Sequence, residues 1–195
     1  MNRRKSQLSF FEEMKRFFGG RLLHGRRRRA RPLSKKEAMH TVLRSSWAVG
    51  PHSFLKKQNK NAIKAIIYAV AKKYGVKVYR LSIQGNHIHF VIRLTNRPLY
   101  NAFIRVLTSQ IASHVMDHRS FDEFRRNLAT TEIQGLGQRF WQFRPFTRIL
   151  AWGRDFKTCC AYVLQNTLEA LGFVDFKPRQ NRYAKWYAET MSSTA

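Results

Sequence analysis

Acidic residues are scarce in this 195-residue chain: 11 Asp plus Glu stand against 37 Lys plus Arg, which leaves a formal charge of +26. With a pI near 11.2, the balance excludes the mixed surface of an ordinary enzyme and points to a polyanionic partner. The same shortage denies the chain the carboxylate cluster that a two-metal nuclease uses. Cysteine is nearly missing too. Cys159 and Cys160 are adjacent, cannot easily bridge each other and have no third thiol to pair with, so a disulfide framework is excluded. Long apolar runs are also lacking. The best of them, residues 65–71, falls far short of the roughly 18 residues that suggest a membrane span, and the N-terminus has no signal-peptide apolar core. A soluble cytoplasmic protein, associated with the nucleoid and not with a membrane, is expected. What is present, 44% hydrophobic and 13% aromatic residues, suffices for one sizeable core and rules out disorder of the whole chain.

The charge is concentrated at one end. Residues 1–36 hold 13 Lys and Arg against Glu12 and Glu13 alone, about +11 in under a fifth of the chain. Leu8, Phe11, Phe18 and Leu22 trace one stripe of a short helix, which Gly19-Gly20 and the run Arg26–Arg29 interrupt. Two readings stand: a solvated tail, or an arm in which Arg26, Arg27, Arg28, Arg29 and Arg31 bind phosphates without a sequence code. A membrane-bound arm would need a long apolar face beside the charges, and none accompanies them. The boundaries expected are an arm over 1–31, a folded domain over 32–178 and a basic tail over 179–195.

From Pro32 onward the pattern is regular. Residues 39–47 alternate loosely and end at the turn signal Gly50-Pro51, giving a first strand. Ile63, Ile66, Ile67 and Val70 recur at helical spacing, with Lys60, Lys64, Lys72 and Lys73 opposite, so 59–74 reads as a helix closed by Gly75. Residues 76–84 and 87–94 are β-rich and meet at Gly85-Asn86, a hairpin. Leu99, Phe103, Val106, Leu107, Ile111 and Val115 define a second helix opened by Pro98. Residues 118–138 read as a loop or lid, 139–150 as a strand with Pro145 at an edge or bulge, and 155–171 as a third helix closed by Gly172. The order βαββαβα predicts an α+β fold with a ferredoxin-like antiparallel sheet. That architecture hosts binding modules and enzymes alike, so function must come from a site.

The best candidate is His87-Ile88-His89. On a strand the two imidazoles share one face, with Ile88, Phe90, Ile92 and Leu94 on the other, and their Cα atoms lie about 6.6 Å apart, close enough to converge on one ion. A bare His-x-His also reads as a pair of exposed or hydrogen-bonded histidines. On the third helix Phe156, Cys160, Val163, Leu164, Leu168 and Leu171 make an apolar stripe, and Tyr162 points about 160° from its middle. Asn166 follows Tyr162 at i+4, with Gln165 beside it, so an amide and a phenol share one side of the helix. A rim tyrosine and a solvated amide would read the same way. Cys160 reads as core filler.

His87-Ile88-His89 after Gly85-Asn86, Tyr162-Val163-Leu164-Gln165-Asn166, and Phe140-Trp141-Gln142 followed by Phe146 resemble the motifs of HUH single-strand DNA endonucleases. The likeness is nearest to the single-tyrosine and REP-associated tyrosine transposases, whose basic arm also resembles the approach to Arg31-Pro32-Leu33. It covers about residues 31–174. Two departures are Gly85 where the family commonly has Pro, and Asn166-Thr167 where it has Asn-Pro. The resemblance implies that His87, His89 and Asn166, with Gln165 as the alternative to Asn166, hold one Mg²⁺ or Mn²⁺. It further implies that Tyr162 attacks single-stranded or hairpin DNA to give a 5′-phosphotyrosine and a free 3′-hydroxyl, in a monomer or homodimer. The alternative from another class is a binding module without catalysis, either a domesticated transposase or a ferredoxin-like RNA-binding sheet. The positions that would stack bases on such a sheet are here His87 and His89.

Overall fold

His87, His89, Val91 and Arg93 alternate with Ile88, Phe90, Ile92 and Leu94, which gives this strand two unlike faces around which the rest of the chain is arranged. The computed structural model describes residues 16–23, 30–116 and 139–176. Its regular elements are β1 (Phe17–Phe18), β2 (Ala38–Arg44), α1 (Lys57–Lys73), β3 (Val76–Ile83), β4 (His87–Leu94), α2 (Leu99–Val115), β5 (Phe146–Leu150) and α3 (Arg154–Ala170). The sheet runs β1-β5-β2-β4-β3 with every pairing antiparallel. Strands β2 to β5 with α1 and α2 make the ferredoxin-like α+β unit that the element order predicts.

Helices α1 and α2 cover one face. Met39 and Leu43 of β2, with the four apolar residues of β4, meet Ile63, Ile67 and Val70 of α1 and Phe103, Leu107 and Ile111 of α2 in the main core. Each such side chain contributes about 1.5–3 kcal/mol when fully buried. The α1 helix stops at Gly75, whose φ of +62° suits glycine, and a Cβ there would stand 2.8 Å from Thr95 Oγ1. Opposite, α3 lies on the histidine face over a small cluster of Ala38, Val91, Leu150, Cys159 and Val163.

The α3 helix is turned differently from its hydrophobic pattern. Its buried residues are Cys159, Val163 and Asn166, whereas Leu164 and Leu171 are 49% and 45% exposed. The face it covers carries imidazoles, Ser82 and Arg148, so the helix presents its mixed side to a polar partner and the apolar stripe does not set its rotation. Cys159 rather than Cys160 is the core filler, and burial pushes its thiol up to about 11. Tyr162 consequently flanks the buried side of α3 and faces the sheet.

Four further expectations are corrected. The strand expected over 139–150 is confined to Phe146–Leu150, preceded by an isolated bridge between Ser45 and Trp141. On α2, Tyr100 is buried where Leu99 is exposed. The helical stripe through Phe18 and Leu22 gives way to the short strand β1 and a 3-10 turn over Gly20–Leu23, so part of the segment read as an arm completes the sheet edge. Arg31 folds inward as well. Its Nη1 donates to the Pro145 carbonyl at 2.8 Å and Thr147 Oγ1 at 2.7 Å, and its guanidinium lies 4.2 Å from the centre of the Phe18 ring. Arg26–Arg29, Leu8, Phe11, the loop expected over 118–138 and the basic tail lie outside the described residues.

Candidate active site

The polar face is built by strand parity. In the β2–β4 register His40 faces Val91, Val42 faces His89 and Arg44 faces His87, so His40, His87, His89 and Arg44 project to one side. The rings of His87 and His89 meet edge-on with centres 4.8 Å apart. Tyr162 descends from α3 onto this group, its ring 5.6 Å from that of His89 and 6.0 Å from that of His40, roughly perpendicular to both. Tyr162 of α3 and the two histidines thus meet on one face of the sheet, with the helix rotated differently from its apolar pattern.

Both ends of α3 are tied to the sheet. Near its start the Asp155 carboxylate pairs with Arg148 of β5 at 2.9 Å and accepts the Ala151 N–H at 3.2 Å, where a negative charge also complements the helix dipole. Toward its other end Gln84, at the close of β3, donates from Nε2 to Ser82 Oγ at 2.9 Å and to the Asn166 carbonyl at 2.6 Å. The Gln84 backbone N–H meanwhile donates to the His87 carbonyl at 2.8 Å, so one residue links the histidine hairpin to the helix. Asn166 is 7% exposed on the sheet side of α3, whereas the Gln165 amide donates to Glu169 at 3.0 Å. Asn166 is thus buried between α3 and the sheet, and Gln165 is bonded to the next turn of its own helix.

Burial, reinforced by Arg44, holds the His87 imidazole down to about 4, and burial with Arg148 holds His40 down to about 3. Both rings are neutral near pH 7, the form in which an imidazole ligates metal. His87 Nδ1 lies 2.8 Å from Asn86 Oδ1, an oxygen that only accepts, so Nδ1 carries the proton and Nε2 keeps its lone pair. Among the described residues no three His, Cys, Asp or Glu side chains are grouped to hold an ion. From α3, Asn166 offers an amide oxygen. Two neutral imidazoles and an amide oxygen fit a divalent cation that keeps open positions for water or phosphate oxygens.

His40 was not singled out in the sequence, where it stands among the apolar residues of an unremarkable strand. Its parity with Val42 and Arg44 is visible there, but its closeness to His89 depends on the pairing of β2 with β4, which local pattern does not give.

An antiparallel sheet with paired histidines on the face covered by a tyrosine-bearing helix is the arrangement this chain presents. The chain belongs to the IS200-like transposase family, whose sequence profile matches residues 39–164. Among solved structures it is similar to a REP-associated tyrosine transposase bound to a REP hairpin, with a TM-score of 0.52, 13% identity, and 76% of each chain covered. A protein from Deinococcus radiodurans R1 classed as a transposase aligns with a TM-score of 0.39 and 15% identity, over 72% of this chain and 98% of that one. Sequence comparison with curated proteins gives no match. Among the described residues no helix is long and apolar enough to cross a membrane.

Proposed function

We propose that this transposase-family protein nicks and rejoins hairpin-forming single-stranded DNA through a covalent bond to Tyr162. The observation that carries the reading is the convergence of the Tyr162 ring on His89 across the polar face of the sheet, 5.6 Å between centres. Tyr162 Oη attacks the scissile phosphorus as the bond from phosphorus to the 3′-oxygen breaks. The phenolic proton is transferred in net terms to the departing oxygen, which leaves as a 3′-hydroxyl, and the 5′-phosphate remains on the tyrosine. Because the phosphodiester is conserved, the hydroxyl reverses the step without ATP. His87, His89 and Asn166 would hold Mg²⁺ or Mn²⁺, which when bound supplies Lewis-acid polarisation of the phosphate. Arg44, opposite His87, adds positive charge where the phosphate would sit.

Hairpin DNA as the partner is suggested by the REP-bound relative and by the +26 charge, which releases counterions from any phosphate backbone. The phosphate-binding role falls to Arg26–Arg29, which in sequence stand between the edge strand β1 and β2, with the catalytic domain continuing over 32–178 ahead of a basic tail over 179–195. The decisive experiment incubates wild type, Tyr162→Phe and the double variant His87→Ala/His89→Ala with 3′-labelled hairpin DNA and Mn²⁺. Label is expected to stay with denatured wild-type protein at Tyr162 and with neither variant, while all three bind the hairpin. An adduct on Tyr162→Phe removes the nucleophile assignment. Hairpin binding with neither adduct nor cleavage by the wild type would make the protein a binding module.

A further inference from the structure

His40 belongs to neither the His-x-His motif nor the tyrosine helix, yet it is enclosed at the centre of the polar face, 8% exposed. Its Nε2 lies 3.1 Å from His89 Nδ1. The two rings are parallel within 8° and their centres are 5.3 Å apart. A short N···N contact between near-parallel rings with centres so far apart is that of two imidazoles meeting edge to edge, in which a ring N–H points along the lone pair of its neighbour. The edges of Phe146 and Tyr162, 6.2 and 6.0 Å away, close on the His40 ring, and Arg148 on the adjacent strand is drawn to Asp155. His40 is thus a fixed object against which His89 can be set.

We infer that His40 is a positioning residue: it accepts the Nδ1–H of His89 and so fixes the ring plane and the tautomer that leave the Nε2 lone pair of His89 for a divalent cation. The inference rests on the metal-dependent reading above. It supplies His89 with what Asn86 supplies to His87, 2.8 Å from His87 Nδ1, so that both imidazoles are held at Nδ1 and present the same nitrogen. The strand register makes the arrangement available, because His40 is the diagonal neighbour of His89 on that face.

The test titrates Mn²⁺ into the full chain without DNA, by calorimetry, for wild type, His40→Phe, which keeps an aromatic ring but no acceptor, and His40→Gln, which restores an acceptor oxygen. His40→Phe is expected to weaken Mn²⁺ binding by about 10–100-fold, the usual effect of removing a partner behind a metal ligand. His40→Gln is expected to recover most of that, and both variants should keep wild-type hairpin affinity in EDTA. In parallel, long-range ¹H–¹⁵N spectra of metal-free wild type should show His89 protonated at Nδ1. That second measurement decides the matter if His40→Phe fails to fold. Wild-type Mn²⁺ affinity in folded His40→Phe, or a His89 protonated at Nε2, overturns the inference and leaves the metal reading standing. A wild type that takes up no Mn²⁺ overturns both.

Discussion

Gln84→Ala removes a single side-chain amide that joins β3, the histidine hairpin and α3. Its Nε2 makes two hydrogen bonds, 2.9 Å to Ser82 Oγ and 2.6 Å to the Asn166 carbonyl. At a net 0.5–1.5 kcal/mol each, their loss costs about 1–3 kcal/mol. Taking about 2 kcal/mol as the centre, a domain of this size should melt about 4–8 °C lower. The effect on cleavage is expected to be far larger than that stability loss implies, because the bond to Asn166 sets the height of α3, and with it Tyr162, over the histidines. A shift near 1 Å in a reacting group costs about 10²-fold in rate. The assay is single-turnover adduct formation on labelled hairpin DNA with Mn²⁺, well below the melting temperature of every variant. Asn59→Ala serves as the comparison, since it loses an amide bonded at 3.0 Å to the Ser53 carbonyl near the start of α1, on the other face of the sheet. An adduct formed at the wild-type rate by Gln84→Ala would refute the reasoning. So would an equal loss in Asn59→Ala, because instability alone would then account for the effect.

Tyr100 tests the interior. Its hydroxyl is buried with no hydrogen-bond partner among the described residues, and burial pushes the phenol up to about 12, so Tyr100→Phe should unfold at equal or higher urea concentration than wild type; destabilisation beyond about 1 kcal/mol would reveal a partner for that oxygen. Arg31 and the Arg26–Arg29 run should separate cleanly. Arg31→Ala loses the bonds to Pro145 and Thr147 and should cost about 1–3 kcal/mol without changing the salt dependence of hairpin binding. Replacing Arg26–Arg29 by Ala should leave the melting temperature alone and lower the salt slope by about 0.7–0.9 for each phosphate that is no longer neutralised. The opposite pattern in fluorescence titrations at several salt concentrations would return Arg31 to the phosphate-binding set.

The elements read most securely from sequence are those whose period matches their surroundings. Helix α1 buries Ile63, Ile67 and Val70 against an apolar face, and β4 alternates between core and site, so local pattern and tertiary environment agree. Helix α3 breaks that agreement. Its pattern favours Leu164, Leu168 and Leu171, but packing on imidazoles and a guanidinium rotates Asn166 inward and leaves Leu164 and Leu171 exposed. Tyr162 and Asn166, at i and i+4, share a side whatever the rotation. Strand β1 is two residues long and carries no period to read. The inward turn of Arg31 depends on a partner more than a hundred residues away, and in sequence it stands beside a run of arginines.

The two-sided character of β4 also acts as a ruler for the chemistry. A slip of one residue against β2 would exchange the faces of the whole strand, carrying Ile88, Phe90, Ile92 and Leu94 out among the polar groups and thrusting His87, His89 and Arg93 into the core. Four side chains now essentially sealed from water would be transferred to the polar side at about 1.5–3 kcal/mol each, and the displaced cation would add its own desolvation penalty. That total rivals the entire stability of a typical domain. A one-residue insertion or deletion at Gly85-Asn86 would then be absorbed in the turn or would unfold the protein, and a folded chain with the imidazoles on the wrong side would not persist. The hydrophobic core, which touches no substrate, is what proofreads the position of the histidines.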